Sequence, residues 1–242
     1  MQSEDRGIRI ERGAKRIRAY LRGQLVLDTI EPRLVWEAPR HPHYYVRRED
    51  VFAELIATGH THTSRRLGVS TLWTIRVGKH NERDAAAIYE RTDIVELRGL
   101  VRVDWNAMDA WFEEDEQVFT HPRNPYTRTD ILPTSRHVRA EVDGVVLAES
   151  HRAHVVFETG LPPRYYLPKF DARFEYLDHS STLSYCPYRG EAEYWHVKVG
   201  REEYPDAVWS YRRPVAEGLR IAALISFDTS QVDVIVDGIR QA

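Results

Sequence analysis

The chain has 242 residues, enough for two modest domains or one large all-β domain. Hydrophobic residues make up 42% and charged residues 29%, both ordinary for a globular protein, and a formal net charge of −3 excludes a whole-molecule field that gathers nucleic acid. A single cysteine excludes an internal disulfide and a Cys-rich zinc site, and no apolar run approaches the length that spans a bilayer.

In chain order, RGIRIERGAKRIRAYLRG from Arg6 is locally basic and reads as a solvated edge. The N-terminus shows no apolar h-region, so a secretory signal is not expected, and a reducing cytoplasm is the simplest compartment. REDVFAELIATG, residues 48–59, reads as a short helix stopped at Gly59. Residues 113–136 hold several prolines together with Phe119, Tyr126, Ile131 and Leu132, so this join is expected to be ordered rather than a flexible linker. HVRAEVDGVVLAES, residues 137–150, is two β runs around Asp143-Gly144, a hairpin signal. AHVVFE and AEYWHVKVG read as strands, and KFDARFEYLD from Lys169 as a second short helix. LRIAALISF suits a buried strand, and VDVIVDG reads as the last one.

The chain is written twice. Thirty-three residues from Arg18 align without a gap on thirty-three from Arg139. Gly23 meets Gly144, Glu37 meets Glu158, Tyr44-Tyr45 meets Tyr165-Tyr166 and Asp50 meets Asp171. After one added residue the register resumes, with Gly68 on Gly190, Trp73 on Trp195, Asp84 on Asp206 and Tyr89 on Tyr211. The period is too long for a solenoid, so each copy is expected to own a core. The expected layout is a first domain over residues 1–112, an ordered connector over 113–136 and a second domain over 137–242, each domain mainly β with one short helix. The pairing of the copies is expected to mimic a homodimer through an internal pseudo-two-fold, the protein being a monomer or a weak homodimer.

The elements LAES, YYLPKFD, SYCPYRGEAEYW, DAVWSY followed by RP, and ISF resemble, in order and spacing, the domain of unknown function DUF427. The resemblance covers essentially all of the second copy. The first looks like a degenerate member, and the tandem, with DWNAMDAWFEEDE leading into HPRNPY, is similar to two-domain bacterial members. Arg189 stands where the family usually has lysine. The resemblance implies a compact β-rich fold, of the β-tent kind. The family's nucleotidyltransferase-like label finds no supporting motif here: there is no P-loop and no glycine-serine element followed by paired aspartates.

The second copy also concentrates chemistry. Cys186, Pro187, Tyr188, Arg189 and Gly190 read as a tight turn, with Pro187 at the first central position and Gly190 at positive φ. Such a turn aims Cys186 and Arg189 at one cleft, where a neighbouring cation activates a thiol; the alternative is a small inert thiol beneath a turn. The first copy has SRRLG at the same place, so the fold does not require the cysteine. Glu37 and Glu158 end equivalent strands, and a partly buried carboxylate there suits either proton transfer or a structural ion pair. Tyr165 and Tyr166 face opposite sides of a strand. One of them, with Trp195, Trp209, Tyr211 and Tyr188, is expected to wall an aromatic groove, and Arg152 and Asp171 to supply polar contacts for a small-molecule ligand. The alternative is an aromatic core.

His60 and His62 share one strand face, with His41 and His43 near in sequence, but the second copy has Ser181, Leu183, Pro162 and Arg164 there, which excludes a shared metal site. No metal, cofactor, nucleic-acid partner or membrane partner is expected. Two readings differ in kind: an enzyme of small-molecule metabolism with Cys186, Glu158 and Arg189 as catalytic groups, or a non-catalytic module that binds a ligand or peptide in the groove.

Overall fold

The computed structural model describes residues 7–241. It divides into two compact units, residues 1–124 and 125–242. In the first, the strands are β1 (Arg9–Arg12), β2 (Ile17–Leu21), β3 (Gln24–Thr29), β4 (Arg33–Trp36), β5 (His43–Val46), β6 (Glu54–Ser64), β7 (Gly68–Val77), β8 (His80–Arg91), β9 (Val101–Val103), β10 (Ala110–Glu113) and β11 (Glu116–Val118). The second has β12 (Thr129–Thr134), β13 (Val138–Val142), β14 (Val145–Ser150), β15 (Ala153–Glu158), β16 (Arg164–Pro168), β17 (Leu177–Cys186), β18 (Gly190–Val199), β19 (Glu202–Arg213), β20 (Leu224–Phe227), β21 (Asp233–Val236) and β22 (Ile239–Arg240).

The two units repeat one topology. A seven-stranded sheet runs β1-β4-β5-β9-β8-β7-β6 in the first and β12-β15-β16-β20-β19-β18-β17 in the second. A four-stranded sheet runs β11-β10-β2-β3 and, in the second, β22-β21-β13-β14. Even the irregularities coincide. The β6–β7 register breaks between Ala57 and Thr61, and the β17–β18 register between His179 and Leu183, the aligned positions.

Strand alternation builds the layers. In β13, Val138, Ala140 and Val142 turn inward, as Ile17, Ala19 and Leu21 do in β2. The hairpin after each strand uses two residues at positive φ, Asp143-Gly144 and Arg22-Gly23, which matches the twist of the flanking strands. Between the two sheets of the second unit lies a core that includes Leu147, Tyr165, Trp195, Val208, Phe227 and Val234. The outer face of its large sheet carries a separate cluster of Ile131, Val156, Tyr166, Ala192, Trp209, Tyr211 and Ile221, with Cys186, Tyr194 and Leu224 against it.

Several expectations need correction in detail. Neither stretch read as a short helix forms an α-helix. Arg48–Asp50, Lys169–Asp171 and Phe174–Tyr176 are single 3-10 turns, and strands β6 and β17 follow. The reason lies in the period: Val51, Ala53 and Leu55 pack on the core at every second residue, a strand spacing. Val51 bridges Leu27, and Ala172 bridges Ala148, so both stretches lie extended. Gly59, at φ +77, sits in the β6 bulge rather than at a helix end. Leu219 and Ile221 lie in a 3-10 turn, Ala216–Ile221, and only Leu224–Phe227 of the apolar run is strand. A turn at Asp237-Gly238 carries the chain past β21 into β22. The join is shared between the units: β11 closes the small sheet of the first and β12 edges the large sheet of the second.

Candidate functional site

Cys186 closes β17 and Gly190 opens β18. Between them the Arg189 amide donates to the Cys186 carbonyl at 3.2 Å, closing a β-turn around Pro187 and Tyr188. Gly190 takes φ +100, and a Cβ there would lie 2.2 Å from the Arg213 carbonyl oxygen. A Cβ on Gly218 would stand 2.7 Å from the Arg189 carbonyl oxygen, which also accepts from the Val215 amide at 3.1 Å. Two glycines thus let residues 213–218 clamp the turn.

The clamp aims Arg189 inward. Its Nη1 lies 2.6 Å from Glu158 Oε2, with both side chains nearly buried, and its Nε donates to the Tyr211 hydroxyl at 3.1 Å. Burial opposes the guanidinium charge, yet Tyr211, Tyr166, Cys186 and Glu158 together hold Arg189 more firmly protonated than a free arginine. Burial pushes the hydroxyls of Tyr166 and Tyr211 up, which keeps both phenols neutral. Trp209 Nε1 donates to the Tyr166 hydroxyl at 3.2 Å. Cys186 sits half-buried at the rim of this cluster. The arrangement places a half-buried thiol at the edge of a cluster that holds a fixed cation and two neutral phenols, a setting that favours a negatively charged ligand.

The structure therefore brings Cys186, Glu158, Arg189, Tyr166, Trp209 and Tyr211 together on the outer face. Tyr165 and Trp195 lie on the other side of the sheet, in the core between the sheets. Tyr165 accepts from Arg136 Nη1 at 3.0 Å, and Lys169 Nζ stands 4.8 Å over the Trp195 ring. Tyr188 is half-buried within the turn. Arg152 and Asp171 form an ion pair at 2.7 Å and line a surface hollow of about 390 Å³ with His137, Glu149, Ser150 and His151. Asp171 also accepts from Ser150 Oγ at 2.6 Å, as Asp50 accepts from Thr29 Oγ1 at 2.8 Å in the first unit. That shared bond makes this aspartate an anchor of the fold.

Two features escaped sequence reading. The first is what replaces Arg189 in the first unit: Leu67, fully buried among Val35, Tyr45, Tyr89, Ile94 and Leu97. There Glu37 accepts from the Tyr45 hydroxyl at 2.9 Å and meets its cation, Arg102 on β9, at 3.6 Å. Arg102 pairs with Ala87 as Ser226 pairs with Trp209, so the cation has moved from a strand in one unit to the turn in the other. The second is a hollow of about 190 Å³ on the large sheet of the first unit, lined among others by His62, Asp84, Tyr89, Arg102 and Asp104. Neither hollow is lined by the Cys186–Gly190 turn, where the aromatic rings expected to wall a pocket fill the space themselves.

Of the histidines, His60 bonds Asp84 at 3.0 Å, while His41 stacks on His121 at 4.1 Å and lies 5.7 Å from His43. Among the described residues no three His, Cys, Asp or Glu side chains converge to hold a metal ion. No helix among them is long and apolar enough to cross a membrane.

A family model described as a domain of unknown function, DUF427, matches residues 9–114 and again residues 130–238. No curated protein matches the chain.

Proposed function

The chain belongs to the DUF427 family as a tandem of two of its domains, and from that premise we propose that the second unit binds or transforms a small molecule at its Cys186–Gly190 turn. Cys186 is the nucleophile or contact group, Arg189 holds negative charge on the thiol or the ligand, and Glu158 orients Arg189 and exchanges protons. Tyr166, Tyr211 and Trp209 form the wall behind them.

One observation carries this reading. The same site in the same chain is filled by Leu67 without loss of the fold. A buried ion pair is a weak source of stability, and apolar replacements of similar volume are often as stable or more so. The first unit keeps the glutamate and pairs it with Arg102 instead, so what the fold does not require is a cation at the turn, and Arg189 stands there for something other than folding. The net charge of −3 and the single cysteine agree with a small-molecule partner in a reducing cytoplasm rather than nucleic acid. A second reading is a non-catalytic ligand- or peptide-binding module whose contacts lie at the turn itself, where Cys186 is half-buried in front of Tyr166, Trp209 and Tyr211, each 7% exposed or less.

Native mass spectrometry of untreated protein tests the proposal. A co-purified small molecule retained by the wild type and lost from an Arg189→Leu, Ser226→Arg variant supports it; equal retention in both overturns it. Retention by Cys186→Ser, with no turnover that depends on the thiol, selects the non-catalytic module.

A further inference from the structure

We propose that the first unit carries its own binding site, separate from the Cys186 turn, for a flat, cationic heteroaromatic molecule about the size of an indole. The site is the hollow on the outer face of the large sheet, across β7, β8 and β9. Its volume, about 190 Å³, exceeds the roughly 150 Å³ at which a protein cavity admits benzene.

Strand register gives the shape of the occupant. Leu72 pairs with Ala87, which pairs with Arg102. At the aligned positions Tyr194 pairs with Trp209, which pairs with Ser226. The first unit therefore has a methyl group where the second has an indole, and an isobutyl group where it has a phenol. In the second unit the indole fills the place: it is 7% exposed, donates to the Tyr166 hydroxyl at 3.2 Å and lies under the Arg164 guanidinium at 4.8 Å. The first unit keeps the tyrosine, as Tyr45, and has His43 in place of Arg164. Burial, then the charge of Arg102, pushes His43 down, which leaves a neutral ring at that position.

The wall gives the charge. Asp84 and Asp104 line the hollow, and the one lining arginine, Arg102, is already engaged by Glu37 at 3.6 Å. The His60 hydrogen bond pulls Asp84 below the usual carboxylate range, so it stays ionised. Asp104 accepts from the Asn106 amide at 3.0 Å through Oδ1. Burial pushes the Tyr89 hydroxyl up, which leaves a neutral hydrogen-bonding group in the wall. Two carboxylates beside an apolar floor of Leu72 and Ala87 suit a planar ring that bears N–H groups and a positive charge.

The test is titration of the full chain with tryptamine, an indole ring with an ammonium group, followed by backbone amide NMR. The site predicts saturable shifts centred on β7, β8 and β9 of the first unit. Indole-3-acetate, the same ring with a carboxylate, binds about tenfold or more weakly. Ala87→Trp places the second unit's own plug in the hollow and abolishes the shifts. If that variant fails to fold, Asp84→Asn decides instead by removing the preference for tryptamine over indole-3-acetate. No saturable shifts in those strands at millimolar tryptamine, shifts that persist in folded Ala87→Trp, or equal binding of both probes by the wild type overturns the proposal.

Discussion

At one turn the first unit buries Leu67 and the second buries Arg189, and each unit then balances its strand-end glutamate in its own way. Glu37 meets Arg102 from the neighbouring strands, whereas Glu158 meets Arg189 from the turn. The outer face of the sheet differs in the same sense. The second unit fills it with Trp209 and Tyr194, and the first leaves it hollow over Ala87 and Leu72. The strand order does not change, while the core between the sheets is repacked, with Trp111 and Val103 where the second unit has Val234 and Phe227. The two copies share one framework of strands and differ in how its faces are filled.

The largest effect expected from this comparison is at the turn glycine. Gly190→Ala drives a Cβ to 2.2 Å from the Arg213 carbonyl oxygen, with Pro214 Cα and Val215 N at 2.8 Å. A loss of about 4 kcal/mol or more from the second unit is expected in urea unfolding. Gly68→Ala meets nothing nearer than 3.8 Å and carries only the positive-φ penalty, about 1 kcal/mol. Equal losses at the two glycines would break the claim that only the second turn is clamped.

Next is the ion pair. Arg189→Leu alone strands a buried carboxylate and costs about 3–5 kcal/mol. Adding Ser226→Arg installs the first unit's arrangement and recovers most of that loss in the same unfolding assay. Failure to recover would mean that the two units are not interchangeable at this site.

A smaller effect separates the units by pH. Burial, His121 and His43 push His41 down from 6.5 to about 4. The folded first unit thus holds it neutral where the unfolded chain would protonate it. Its contribution is complete above about pH 6.5 and is lost as pH falls from there towards 4. The second unit has Pro162 at this place. Amide exchange should show acid loosening around β5 that His41→Gln flattens. The smallest effect is Cys186→Ser. Ser64 already stands at the aligned position, so the stability change is expected to be about 1 kcal/mol or less.

Much of the framework was legible because its signals are local or repeated. Asp143-Gly144 marks its hairpin, Pro187 and Gly190 mark their turn, and the repeat, interrupted by a single added residue, implies the matching topology before any strand is placed. The helix reading failed at Val51, Ala53 and Leu55, where a two-residue period lies within a stretch of helix-forming residues. The site was legible only in part. Alternation separates Tyr165 from Tyr166, but it does not reveal that both are buried, nor that Trp195 faces the opposite side from Trp209. The exchange of Arg102 for Arg189 was hidden because the two cations come from segments far apart in sequence. They converge on equivalent glutamates only after β5 pairs with β9 and the turn folds back. The hollow could have been found by setting Ala87 against Trp209 in the repeat alignment.

The alkylation rate of Cys186 by iodoacetamide at neutral pH tests most directly whether Arg189 serves the thiol rather than the fold. In the Arg189→Leu, Ser226→Arg variant, the proposed role of Arg189 predicts alkylation about tenfold slower than in the wild type, because the cation proposed to serve the thiol has been moved away. Equal rates in two folded proteins would contradict it.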